Sequence, residues 1–329
     1  MYEQFFGLER HPFNMTPDPA VLFLTAQHKE ALAGLTYAIL GRKGFVVLTG
    51  DAGTGKTTLL SRVLQYLPAQ RIRSSVILNS TLSPAEFLEM AMLDFGLTEI
   101  PRSKAQRIFK LQQFLTTGHA AGQISALVVD EAHKLSPEVL EEIRLLGNFE
   151  NAEDKLIQII LIGQNELTHV LNREDLRQFK QRVAVRLRLE ALSKEEVGQY
   201  IQHRWTKAGG RQLAPFAPAV VERIGACSRG IPRLINAVCD NALTLAFAKG
   251  ESSVTLEHLT EVARDLDLTE WKLPPQAAEA PIEAPALVEL PPPPMAAARF
   301  GTLERYGGYP EPRPSFWSRW SGKLKSAQA

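Results

Sequence analysis

Cysteine is almost missing from this chain. Cys227 and Cys239 are the only two in 329 residues, too few for a disulfide framework or a cysteine-built metal site, and this usage fits a reducing compartment. An excess of charge of either sign is also lacking. The net charge of +1 gives no global pull toward nucleic acid or anionic lipid, so any such contact must come from a local patch. Long apolar runs are absent too, and no window reaches the roughly 20 residues that span a bilayer. The amino terminus, Met1-Tyr2-Glu3-Gln4-Phe5-Phe6, lacks the basic region and apolar stretch of a secretory signal. These absences lead to the expectation of a soluble, cytoplasmic protein. What is present is a 45% apolar composition, enough to build one large core or two ordinary ones.

The segment around which the chain is organised is Gly50-Asp51-Ala52-Gly53-Thr54-Gly55-Lys56-Thr57. It carries glycines, a lysine and a hydroxyl residue at the spacing of a phosphate-cradling loop. Its flanks agree: Phe45-Val46-Val47-Leu48-Thr49 before it reads as a buried strand, and the run from Thr58 to Leu64 has helical apolar spacing. Glycines let backbone N–H groups approach phosphate oxygens at a helix N-terminus that already favours negative charge. Residues Gly50 to Thr58 are therefore the expected nucleotide contacts. Lys56 reaches the β- and γ-phosphates, and Thr57 is a Mg²⁺ ligand.

Along the rest of the chain, residues 1–30 combine aromatics with turn residues and form an arm, packed on the core or also bordering an adenine pocket. Residues 28–41 read as an amphipathic helix, 75–78 as a second strand, 83–95 and 104–118 as helices, and 126–129 as a central strand. Ile157 to Ile162 is a fourth strand. Between Val183 and Leu189 apolar residues alternate with Ala184, Arg186 and Arg188, the pattern of an edge strand. Alternating strands and helices predict a parallel sheet covered on both faces. From Ser193 onward only helices are expected, near 194–207, 217–227, 232–248 and 255–266. After Leu273 the prolines and alanines, with four prolines at 291–294, suit a disordered linker or tail. Within 315–325, Trp317, Trp320 and Leu324 fall at helical spacing beside basic residues, which suits a peripheral membrane anchor, a docking peptide or an unstructured tail.

Val128-Val129-Asp130-Glu131-Ala132-His133 places two carboxylates at the carboxyl end of a buried strand, where α/β sheets bind ligands. Asp130 is expected to hold Mg²⁺, and Glu131 to polarise the water that attacks the γ-phosphate. His133 is read as a helix-start or subunit-contact residue. Gln164, at the end of the fourth strand, is a candidate sensor of the γ-phosphate. Arg177, Lys180, Arg182, Arg186 and Arg188 concentrate positive charge. Among them Arg182, with Arg177 as the alternate, is the expected arginine supplied to a neighbouring subunit's phosphates. Arg233, in Gly230-Ile231-Pro232-Arg233, is the candidate that couples the phosphates to the helical part.

In this order the phosphate loop, Asp130-Glu131, Gln164, Arg182 and Gly230-Ile231-Pro232-Arg233 resemble Walker A, Walker B, sensor 1, arginine finger and sensor 2 of the AAA+ ATPases. Four further stretches resemble the ExeA-type general secretion pathway A ATPases and their exosortase-associated relatives: Tyr2-Glu3-Gln4-Phe5-Phe6-Gly7-Leu8 with Pro12-Phe13, Thr16-Pro17-Asp18-Pro19, Glu141-Glu142-Ile143-Arg144-Leu145-Leu146 and Gly163-Gln164-Asn165-Glu166-Leu167. The resemblance covers about residues 1–268. It implies a P-loop NTPase (AAA+) parallel sheet flanked by helices with a small all-α lid, hydrolysis of ATP with Mg²⁺, and homo-oligomer assembly among protein partners at an envelope or export system. The expected division is an arm at 1–30, an AAA+ nucleotide-binding α/β domain at 31–191, a lid at 192–268, and a Pro/Ala-rich linker with a basic-aromatic tail at 269–329. Secretion members continue into a transmembrane helix and a peptidoglycan-binding domain. Neither is written here, and the tail stands as the expected peripheral contact with the inner membrane. The family also resembles transposition helper ATPases, which act on DNA. A DNA-associated role would call on Arg71, Arg73, Lys104, Arg107 and Lys110, whereas a non-hydrolysing switch is disfavoured by Glu131.

Overall fold

Strands form where the apolar runs predict them. A computed structural model describes residues 2–16, 18–67, 71–78 and 81–268, all within one compact unit, Met1–Lys272. The expectations for 269–329 lie outside the described residues. Five strands, β1 (Phe45–Gly50), β2 (Ile72–Ile77), β3 (Ile124–Val129), β4 (Ile157–Gly163) and β5 (Val183–Leu189), make a sheet of order β2-β3-β4-β1-β5. Every neighbouring pair is parallel. β1, β3 and β4 are buried at every position, as strands with both faces covered must be. β5 lies at an edge, and its outward residues Ala184, Arg186 and Arg188 are exposed. β2 starts at Ile72, before the expected 75, because Arg73 and Ser74 on this other edge are exposed and hide the strand pattern.

The helices are α1 (Tyr2–Phe5), α2 (Ala26–Leu40), α3 (Lys56–Tyr66), α4 (Pro84–Asp94), α5 (Lys104–Ala120), α6 (Pro137–Leu146), α7 (Glu166–Leu171), α8 (Arg177–Lys180), α9 (Lys194–Lys207), α10 (Pro218–Ser228), α11 (Pro232–Ala248) and α12 (Leu256–Asp265). Their starts are written locally. Thr25, Ser83, Ser136, Ser193 and Thr255 each accept a hydrogen bond from a first-turn backbone N–H, which satisfies a donor the helix leaves orphaned. Alternation along the strands separates two cores. Val47, Leu127, Val129, Ile159 and Leu161 pack with α4, α5 and α6, while Val46, Leu48, Val128, Ile160 and Ile162 pack with α2 and α3, the period of two that a pleated strand imposes.

A third cluster joins α9 to α12 with Tyr2, Leu8 and Phe13 from the amino-terminal arm. Phe13 is fully buried, the Tyr2 hydroxyl donates to the Asp240 carboxylate, and Arg204 Nε donates to the Pro12 carbonyl at 2.7 Å. The first residues of the chain thus lie on the last described helices. Among the described residues, no helix is long and apolar enough to cross a membrane.

Candidate nucleotide site

β1 ends in the glycine-rich turn, and α3 begins at Lys56. Its N-cap, Gly55, sits in the left-handed region at φ 94° and brings no side chain to the first-turn N–H groups, so these donors suit a bound anion. The turn is pinned from within: Thr54 is fully buried, and its Oγ1 donates to the Asp51 carbonyl at 2.9 Å. Lys56 Nζ donates to the carbonyls of Gly50 at 2.7 Å and Asp51 at 2.8 Å. Burial pulls the Lys56 pKa below its ordinary value, while Asp130, Glu131 and Asp51 act in the opposite direction. The ammonium is therefore desolvated but surrounded by carboxylates.

Opposite the loop, the end of β3 supplies Asp130. Thr57 Oγ1 donates to Asp130 Oδ2 at 2.8 Å, and Asp130 Oδ1 accepts from the Glu131 N–H at 2.8 Å. A hydroxyl and a carboxylate in contact are hard oxygen donors of the kind Mg²⁺ takes alongside water and phosphate oxygens, so the residues fit that ion. Glu131 follows in the left-handed region at φ 51°, a conformation that costs a non-glycine residue about 1–3 kcal/mol. Its carboxylate lies 3.0 Å from Lys134 Nζ and 3.7 Å from His133 Nε2. Burial raises the Glu131 pKa, but Lys134, His133 and Lys56 outweigh it and leave the pKa below the ordinary value.

The end of β4 closes the third side. The Gln164 backbone N–H donates to His133 Nδ1 at 3.3 Å, and Asn165 Nδ2 donates to Asp51 Oδ1 at 2.7 Å. Sequence reasoning singled out the Gln164 side chain. What the structure adds is the linkage made by its backbone, by Asn165 and by His133, which the sequence marks only as a helix-start or subunit-contact residue.

The helical part reaches the same loop. The Arg233 N–H donates to the Gly53 carbonyl at 3.3 Å. A Cβ on Gly53 would lie 2.7 Å from Arg233 Cβ and 3.1 Å from Ile231 Cγ2, so this glycine is required for α11 to sit down as well as for the turn. Gly230 adopts φ +70°, and a Cβ there would meet the Leu192 carbonyl oxygen at 2.0 Å. From α2, buried His28 places Nε2 3.4 Å from the Thr54 carbonyl, with Nδ1 2.8 Å from Thr25 Oγ1. No spacing rule in the sequence points to His28; only the packing of α2 against α3 brings it there.

Arg182 is not brought to this site. Phe45 pairs with Val183 and Gly50 with Leu189, so Arg182 precedes the amino end of β5, about 17 Å of strand away from the phosphate loop at 3.3 Å per residue. Its Nη1 donates to the Arg144 carbonyl and to Asn148 Oδ1. Arg177 is exposed on α8. The basic residues considered for DNA are largely engaged: Arg73 lies 5.1 Å over the Phe114 ring, Lys104 pairs with Glu142 at 2.6 Å, Arg107 pairs with Glu89 at 2.8 Å, and Lys110 Nζ donates to the Thr98 and Glu99 carbonyls.

A five-stranded parallel sheet with helices on both faces, and a phosphate loop set against Asp130 and Glu131, define a P-loop NTPase fold of the AAA+ type. The AAA domain family model matches residues 39–171. Within that class the chain is similar to General secretion pathway protein A of Aeromonas hydrophila, 42% identical over 255 residues, an alignment covering 77% of this chain and 46% of that protein. The chain therefore spans about half the length of that relative. It is also 27% identical over 267 residues to the ATP-dependent target DNA activator B of Escherichia phage Mu, covering 78% of this chain and 77% of that protein. Of solved structures, the Aeropyrum pernix ORC2 protein superposes with a TM-score of 0.61 at 16% identity, covering 78% of this chain and 72% of that one. Drosophila ORC bound to DNA gives 0.63 at 18% identity, covering 81% and 66%. These two establish likeness of fold.

Proposed function

We propose that this protein is a Mg²⁺-dependent ATPase that acts as a homo-oligomer and assembles or remodels a protein complex in secretion or surface-polymer export. The observation that carries the reading is the contact of Thr57 Oγ1 with Asp130 at 2.8 Å, directly after Lys56 and directly before Glu131. Residues Gly50 to Thr58 grip the phosphates through backbone N–H groups and Lys56. Thr57 and Asp130 would hold Mg²⁺, which when bound neutralises charge developing on the phosphoryl oxygens. Glu131 orients and polarises the attacking water, Gln164 reads the γ-phosphate, and Arg233 couples the phosphates to α11. Arg182 lies far from its own loop and serves the site of a neighbouring copy. The similarity to General secretion pathway protein A supports an envelope or export setting, with the protein on the cytoplasmic side and segment 315–325 as a peripheral contact with the inner membrane.

Phosphate release measured with and without Mg²⁺ over a range of protein concentrations tests the reading. Turnover that needs the metal and rises with self-association is expected, and its absence at every concentration sinks the mechanism. The similarity to target DNA activator B favours a second reading, an ATPase that works on DNA with a transposase or similar enzyme. Duplex binding that falls steeply between two salt concentrations would support it. The internal pairing of Arg73, Lys104, Arg107 and Lys110 argues against those residues as its footprint.

A further inference from the structure

Contacts around the phosphate loop form a continuous chain that the hydrolysis reading leaves unused. It starts at Asp51 in the loop, whose Oδ1 accepts from Asn165 Nδ2 at 2.7 Å. Asn165 is bonded covalently to Gln164, whose N–H donates to His133 Nδ1 at 3.3 Å. A ring nitrogen that accepts an N–H must be unprotonated, which puts the proton of a neutral imidazole on Nε2. That nitrogen faces Glu131 Oε2 at 3.7 Å, and the His133 side chain is only 10% exposed. The same Oε2 also meets Lys134 Nζ at 3.0 Å, on a side chain more than half exposed. Glu131 thus pairs with an exposed surface cation and with a nearly buried ring that is fixed to the end of β4.

We propose that His133 is a positioning residue that transmits the placement of the phosphate loop, through Asn165 and the Gln164 backbone, to the Glu131 carboxylate. Asp51 moves with the loop that grips the phosphates, and Asn165 carries that movement to the end of β4. The imidazole, docked on the Gln164 N–H, then sets where Glu131 points. The left-handed backbone of Glu131 at φ 51° makes the two ends meet, because it turns the chain so that His133 lies back over β4. His133 touches neither phosphate nor water in this scheme and acts only through Glu131. The inference rests on the reading of Glu131 as the group that activates water.

The test compares His133→Ala, His133→Asn and Asn165→Asp with the unaltered chain. His133→Asn keeps an acceptor near the Nδ1 position but loses the arm toward Glu131. Asn165→Asp is nearly isosteric and sets two carboxylates against each other at Asp51. Steady-state ATP hydrolysis, binding of a fluorescent ATP analogue and thermal unfolding are read on each. The expected result is a kcat lowered about 3- to 30-fold in all three, with KM and analogue binding within about twofold of the unaltered chain. The His133→Ala, Asn165→Asp double variant should be no slower than the worse single one, since both cut the same chain of contacts. Unchanged kcat in His133→Asn or Asn165→Asp, additive losses in the double variant, or a loss confined to analogue binding and unfolding temperature overturns the relay. If His133→Ala does not fold, the other two variants decide the matter. An unaltered chain that binds ATP without hydrolysing it overturns the ATPase reading and the relay together, whereas robust turnover with indifferent variants overturns the relay alone.

Discussion

At the carboxyl ends of β1, β3 and β4, Lys56, Thr57, Asp130, Glu131, His133, Asn165 and Arg233 converge from stretches far apart in the chain and bond across the gaps between them. At the amino end of β5, Arg182 donates to the Arg144 carbonyl and to Asn148 Oδ1 and acts on the Glu141 and Glu150 carboxylates. One end of the sheet is a pocket that needs many elements. The other presents the Arg182 guanidinium, about a strand length from its own pocket. In a parallel sheet every strand points the same way, so groups at opposite ends of neighbouring strands stay apart by a full strand length. On the proposed reading the difference has a consequence: the hydrolytic centre is assembled from two copies, with each copy giving one end.

The strongest way to break this comparison is to disable the two ends separately. Lys56→Ala should abolish turnover together with nucleotide binding, measured by phosphate release and by a fluorescent analogue, because the proposed function has the buried ammonium meet the terminal phosphates. Arg182→Ala should lower turnover by about 10³-fold while leaving nucleotide binding intact. Mixing the Lys56→Ala and Arg182→Ala proteins should restore part of the rate. In mixed assemblies the former lends a sound arginine to the latter's sound pocket, and no recovery would place the arginine's role elsewhere. Glu131→Gln should keep ATP bound and slow its hydrolysis by about 10²-fold, and loss of binding instead would make Glu131 a structural residue.

Gly230→Ala sharpens the comparison from the helical side. Its positive φ and the Leu192 carbonyl at 2.0 Å imply a loss of about 2 kcal/mol in denaturant unfolding, accompanied by weaker docking of Arg233 on the loop. The smallest expected effect is one of pH. Burial lowers the pKa of His28 and of His203 below the ordinary 6.5. The unfolded chain therefore takes up protons first on acidification. The stability these neutral rings contribute is complete above the ordinary value and is lost as pH falls from there through the lowered folded values. Thermal unfolding at about pH 7.5 and about pH 5.5 should show the drop, and His28→Gln should shrink it.

Much of this pocket is legible in the sequence. The loop from Gly50 to Thr57, the paired acids after Val129 and the edge character of Val183–Leu189 follow from spacing and alternation, because backbone geometry fixes those periods locally. Helices 194–207 and 232–248 fall where periodicity predicts them. β2 was half hidden, since an edge strand with exposed Arg73 and Ser74 carries little apolar signal. α7 and α8 were not anticipated, being too short for a helical period to register. His28, His133 and Asn165 carry no spacing signal at all. Each is significant only because something distant in sequence, Thr54, Gln164 or Asp51, is packed beside it.

The amino-acid order by itself determined the local pieces: which runs become buried strands, where serine and threonine start helices, and that glycine, lysine and threonine stand at the spacing of a phosphate loop. Those depend on torsions and hydrogen bonds within a few residues. Tertiary structure alone decided that Gly53 must lack a side chain for α11 to seat, that His133 bridges Glu131 to the end of β4, and that Arg182 stands away from its own loop. These outcomes follow from the order β2-β3-β4-β1-β5 and its common strand direction, which bring some distant residues into contact and hold others a strand apart.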